Sequence, residues 1–223
     1  MQINKGIKLR LTIHNILFEI HHLNKNFDNL SLKKKIKFYN QKDTAFINNV
    51  CLSSMRYYYH TQNIINLYLR KKSKRHEKIL LISAITQIVF LDFSDYAVVN
   101  SSVEIAKKLK IYPGLINSVL KKIVREKKDL IKIKVEFDQL PEWFQKKTVF
   151  FSKKDKEKFI KNYYKKPNVH LVFKNNDFLK KFESKIENTS NISGFLNEDI
   201  KINKVESYES GAWWVQDFSS FLP

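Results

Sequence analysis

The sequence predicts a mainly α protein: a helical bundle followed by a small α/β segment. Three observations carry that prediction. Apolar residues recur at spacings of three and four through the first 135 of the 223 residues. One run, ILLISAITQIVFL, is apolar on almost every side, as a helix enclosed by other helices must be. Beyond residue 130, short β-type runs such as VHLVF appear. A chain of this length can bury a substantial core in one large domain or two small ones.

The elements follow in order. Leu9, Ile13, Ile16, Leu17, Ile20 and Leu23 form one apolar stripe on a first helix. Asp43 is a candidate N-cap for a second, which carries Phe46, Val50 and Tyr57. After the basic run RKKSKRHEK comes the apolar central helix. Ser94 or Asp95 can cap the next helix, whose inner face would use Val99, Val103 and Ala106. Pro113 suits the first turn of the last bundle helix, where a missing N–H costs nothing, and Ile116, Val119, Leu120 and Ile123 form its stripe. The expected domains are 1–135, the bundle, and 136–223, the small α/β segment. In the second, LPEWF and Ser152–Tyr164 read as helical, VHLVF as a strand, Phe178–Ile186 as a helix, and Asp199–Val205 and Ala212–Val215 as strands.

The formal charge is +19 and the pI about 9.8, which points to a polyanionic partner. AT-rich codon usage also enriches lysine, but it would act evenly along the chain. Residues 1–135 hold 26 Lys+Arg against 9 Asp+Glu, and 136–223 hold 15 against 13. The excess is therefore local, which favours a basic surface for RNA or DNA. No apolar run approaches the roughly 20 residues that span a bilayer. The N-terminal apolar residues are spaced and lack a small-residue cleavage site, so they are not read as a signal peptide. The single cysteine, Cys51, permits no intrachain disulfide and fits a cytoplasmic location.

Three segments carry a family resemblance. DTAFINNVCLSSMRYYYHTQNIINLYL (43–69), EKILLISAITQIVFLDFSDYAVVNSSVEIAKKL (77–109) and GLINSVLKKIVRE (114–126), in this order and spacing, resemble the NusB family of RNA-binding domains. Met55-Arg56, the continuation into Val124-Arg125-Glu126, Leu140-Pro141-Glu142-Trp143 and Lys166-Pro167 are further similar to the front part of the RsmB-type ribosomal RNA cytosine-5 methyltransferases. So is GAWWVQDFSS, Gly211 to Ser220. One position departs: Leu171 stands where that family has arginine. The resemblance implies RNA, most naturally ribosomal RNA, as partner. It also implies S-adenosylmethionine as the cofactor of a catalytic domain that would begin just after the V-Q-D segment, where this sequence ends. The expectation is a non-catalytic RNA-docking front with no cofactor of its own. It would work beside a methyltransferase domain or a ribosomal-protein partner.

The residues agree with that expectation on their own terms. Cytosine-5 methylation needs a thiolate nucleophile and a glycine-rich turn at the methyl donor. The only glycines are Gly6, Gly114, Gly194 and Gly211, and Cys51 reads as a small core residue. His21 and His22 diverge by about 100° on a helix, and His14 lies two turns from His21, so no metal site is expected. The candidate RNA contacts are three basic groups: Lys5, Lys8 and Arg10; Arg70, Lys71 and Lys72, with Lys74 and Arg75 beyond; and Lys121, Lys122 and Arg125. Two alternatives stand beside RNA docking: a NusB-type transcription antitermination factor and a helical protein-interaction module. Trp213, Trp214 and Phe218 are expected to leave an apolar patch at a domain junction.

Overall fold

Among the described residues, the apolar stripes of the first 130 positions become long helices, five of which pack on the central one. The computed structural model describes residues 4–28, 34–69, 73–165, 167–197 and 202–222, which fall into two compact units, Met1–Tyr164 and Lys165–Pro223.

In the first unit α1 (Lys5–Leu23) is capped by Asn4, whose side chain accepts from the Gly6 N–H, and buries Leu9, Ile13, Ile16 and Leu17. Ile20 is half-buried, and Leu23, in the last turn, is 56% exposed, so the stripe is shorter than its periodicity implied. Asn24 ends the helix in the left-handed region (φ 52°), a conformation asparagine tolerates. α2 (Gln41–Arg56) is capped by Asn40, not Asp43. Asn40 accepts from the Asp43 N–H at 2.8 Å, which puts the Asp43 carboxylate in the first turn, where the helix dipole favours it.

α3 (Tyr58–Tyr68) leads toward α4 (Arg75–Ile85), which runs on into a π-helical turn, Thr86–Phe90. Every residue from Ile79 to Val89 is buried, and α4 packs on α1, α2, α3, α5 and α6. Its polar residues are satisfied along the helix itself. Thr86 donates to the Ile82 carbonyl at 2.8 Å and Gln87 to the Ser83 carbonyl at 3.0 Å.

α5 (Asp95–Lys108) has Ser94 at its cap position, without a side-chain hydrogen bond. It turns Val98, Ser101, Ser102, Ile105 and Ala106 inward, while Val99 and Val103 are only half-buried. Of the expected inner face, Ala106 is buried, and the helix is rotated so that Ser101 and Ser102 take the places expected for Val99 and Val103. Here Ser101 is satisfied by the Ala97 carbonyl at 2.6 Å, and its small side chain sits in the core. α6 (Pro113–Leu130) starts at its proline and buries Ile116, Val119, Leu120 and Ile123 as expected.

The first unit continues past residue 135. A 3₁₀ turn (Phe137–Gln139), α7 (Glu142–Lys147) and α8 (Lys153–Tyr163) gather four rings, with Phe144, Phe151 and Phe159 centred 5.9, 6.0 and 5.9 Å from Phe137. Asn63 on α3 donates to the Lys134 carbonyl and exchanges hydrogen bonds with Gln139. Tyr164 stacks on Tyr57 at 5.8 Å. These contacts place the division at Tyr164/Lys165, whereas composition had marked 135/136.

The second unit is an antiparallel sheet in the order β2-β3-β1-β4, formed by β1 (His170–Phe173), β2 (Ile186–Ser190), β3 (Ser193–Leu196) and β4 (Trp213–Val215). α9 (Asn176–Lys180) is short: Ile186, expected at the end of a helix, opens β2 instead. Of the expected strand 199–205, residues 199–201 lie outside the described residues, and Ile202–Lys204 is a 3₁₀ turn. Gly194 has a packing reason: a Cβ there would stand 2.1 Å from Ile186 Cγ2 and 2.7 Å from the Glu187 carbonyl oxygen. Leu171 lies between Gly194 of β3 and Val215 of β4 and is fully buried, so its side chain is core. Trp213 is core as well, its indole N–H donating to the Glu206 carbonyl at 2.7 Å. Trp214 is 46% exposed, and Phe218, half-buried in α10 (Phe218–Phe221), packs on His170 and Phe195. The expected apolar patch thus loses Trp213 to the core.

Candidate nucleic-acid interface

Charge separates the two units completely. The first holds 33 Lys+Arg against 14 Asp+Glu, which equals the whole excess of +19, and the second holds 8 against 8. Pooling residues 136–223 had hidden this, because the lysine-rich α7–α8 segment was counted with the neutral sheet.

The first basic group sits at the N-terminus of α1 and does not act as one. Lys5 is 67% exposed but pairs with Asp43 at 2.9 Å. Lys8 is exposed, its ammonium 6.0 Å from the Tyr39 ring centroid. Arg10 turns inward: its Nε donates to Gln87 Oε1 at 2.7 Å and its guanidinium lies 5.4 Å from the Phe46 ring. Burial lowers its pKa from the ordinary value. Arg10 is therefore a strut between α1 and the π-helical turn, and Lys8 is the least encumbered cation of this group.

Of the second group, Arg70, Lys71 and Lys72 lie outside the described residues. Lys74 and Arg75, at the start of α4, are exposed. The third group is the clearest. Lys121, Lys122 and Arg125 project from α6 opposite its buried stripe, all exposed, and among the described residues none has a carboxylate partner. Two positions on, Lys127 is spoken for by Asp92 and Asp95 at 3.2 and 3.4 Å. α1 and α6 both pack on α4 and α5, so the first and third groups are carried by separate helices of one packed core.

The histidines do not converge. His21 stacks on Tyr58 at 4.5 Å, and His22 packs at a tilt on Phe18 at 4.9 Å. His14 Nε2 lies 3.1 Å from His76 Nδ1. Burial pushes His14 and His21 down to about 4, with neighbouring His76 and His22 adding to the respective shifts. Among the described residues no group of three or more His, Cys, Asp or Glu is placed to hold a metal ion. Cys51 is fully buried, and burial pushes its thiol far above the ordinary range, the state of a structural rather than a reactive thiol. No helix among the described residues is long and apolar enough to cross a membrane.

Sequence reasoning used Trp143 only as part of a family motif and did not consider Phe150; both are exposed among the lysines of α7 and α8. The signal was available in the local composition of 140–165.

No curated protein matches the chain. Among solved structures, T. maritima NusB (P3121, form 2) is similar in fold, with a TM-score of 0.50 at 16% identity, covering 59% of this chain and all of that one. PH0851 matches with a TM-score of 0.47 at 11% identity, over 99% of this chain and 54% of that one, so the chain spans about half of PH0851. The NusB family profile covers residues 8–125, more than half of the sequence, and on that match the chain belongs to the NusB family.

Proposed function

We propose that this protein binds RNA as the non-catalytic docking part of a cytoplasmic ribosomal RNA cytosine-5 methyltransferase-like system. The observation that carries the reading is the charge partition. All of the net positive charge lies on the NusB-family unit, and its exposed α6 cations have no carboxylate partners among the described residues. Phosphate contacts made by such cations position RNA without reading its sequence. The chain extends beyond the family match, and Leu140–Trp143, Lys166-Pro167 and Gly211–Ser220 keep the order of motifs that resembles the methyltransferase front. S-adenosylmethionine and the nucleophilic thiol belong, in this reading, to a separate catalytic domain.

Competition titration tests the partner. A labelled fragment of small-subunit ribosomal RNA should be displaced by the unlabelled fragment well before an equal mass of duplex DNA. Equal displacement by both would leave only non-specific polyanion binding. A second reading, a transcription antitermination factor, draws on the family match ending at residue 125. It predicts assembly with a ribosomal protein that survives removal of the second unit.

A further inference from the structure

We propose that the α7–α8 segment is a stacking platform for single-stranded RNA, with unpaired bases lying on Trp143 and Phe150 and neighbouring lysines meeting the backbone phosphates. Trp143 is 63% exposed and Phe150 77% exposed. Each is braced edge-on by one ring of the aromatic cluster, Trp143 by Phe144 at 5.7 Å and Phe150 by Phe151 at 5.2 Å. The two rings are thus held by a packed base while most of their surface faces solvent. The Trp143 indole N–H has no protein acceptor among the described residues, unlike those of Trp213 and Trp214.

The charge around them selects the ligand. Residues 140–165 carry eight lysines against Glu142, Asp155 and Glu157. Glu142 is paired with Lys146 at 2.7 Å, and Asp155 is used in the α8 capping box with Ser152. Lys147, Lys153, Lys154 and Lys161 have no carboxylate partner among the described residues. Lys146 and Lys147 follow Trp143 by three and four residues on α7, the spacing that shares a helix face. A groove of about 1260 Å³ lies next to this segment and is mixed in charge, lined by Lys146, Lys153, Lys156 and Lys161 together with Glu136, Asp138, Glu142 and Glu157, so the phosphate contacts are assigned to the unpaired lysines rather than to the groove.

Protein-docking faces are depleted in lysine at their centres. Aromatics interleaved with unpaired lysines are instead the composition that binds single strands, where bases stack and phosphates meet cations. Duplex RNA hides its base faces, so the platform discriminates by strandedness. The inference rests on the RNA-binding reading and adds the state of the RNA.

The test uses the intact chain, an unstructured oligouridylate of about 12 nucleotides and an RNA duplex of similar length. Trp143→Ala/Phe150→Ala, with an unchanged thermal melt, should lose about fivefold or more in oligouridylate affinity for each ring removed. Its duplex affinity should change by less than about twofold, since duplex bases are already stacked. Trp143→Phe/Phe150→Tyr, which keeps both rings, should retain binding. Oligouridylate affinity equal to wild type in the alanine variant overturns the platform. The same result accompanied by lost self-association would reassign the patch to protein docking. If the alanine variant binds oligouridylate normally while removal of the α6 cations abolishes duplex binding, the platform falls and the RNA-binding reading stands. If wild type binds neither RNA, both fall.

Discussion

Acidification should destabilise this protein through His14, and the amount follows from its surroundings. His14 is fully buried on α1, its Nδ1 has no hydrogen-bond partner among the described residues, and its Nε2 faces His76. Desolvation, with a smaller contribution from His76, pushes it from 6.5 down to about 4. Between those values the unfolded chain holds a proton that the folded chain excludes. Stability is therefore full above pH 6.5 and is lost as the pH falls through that window. At pH 5 the loss from this one residue is about 2 kcal/mol relative to pH 8. Urea unfolding of wild type and His14→Phe at pH 8 and pH 5 measures it together with its coupling to His76, the one histidine in direct contact with it. The difference between the two pH values should be smaller in the variant by about 2 kcal/mol. Identical pH dependence in the two proteins would refute the assignment of a neutral, desolvated His14.

Three further outcomes test the packing. Arg10→Met should cost about 1–3 kcal/mol in thermal or urea unfolding, because it strands the Gln87 carbonyl oxygen. It should alter RNA affinity less than removal of Lys121 does. Gly194→Ala should destabilise the second unit by about 1–3 kcal/mol, since the added methyl meets Ile186 and the backbone of Glu187. Hydrogen exchange localised to β2 and β3 would show it. Leu171→Arg, which restores the residue of the resembled family, should unfold the sheet, because it buries an unpaired charge between β3 and β4. A folded variant with an exposed arginine would show that β1 can shift its register.

What the sequence disclosed depended on how strongly each segment commits its residues. α4 and α6 were legible because burial on every side and a clean four-residue stripe leave little choice of rotation. α5 was misaligned because Ser101 and Ser102 are buried, and a serine's own backbone hydrogen bond does not show in a hydrophobic pattern. Asn40 and Asp43 are both good caps, and only the geometry chooses between them. The β2–β3 hairpin was missed because IENTSNISGFL is mostly polar. Its buried residues are Ile186, Ser193, Gly194 and Leu196, and the serine and glycine carry little apolar signal. For the candidate site, exposure of Lys121, Lys122 and Arg125 could be read from the α6 stripe. The inward turn of Arg10 could not, since it depends on Gln87, distant in sequence and brought close by the fold.

The most direct test of the account is the salt dependence of RNA binding. Affinity for a ribosomal RNA fragment, measured between roughly 50 and 200 mM salt, should fall linearly on a log–log plot as counterions are released. In Lys121→Gln/Lys122→Gln/Arg125→Gln the slope should become shallower by about 2 to 3, one phosphate contact being lost for each residue. Binding that does not change with salt, or a slope unaltered by the triple substitution, would contradict phosphate docking on α6.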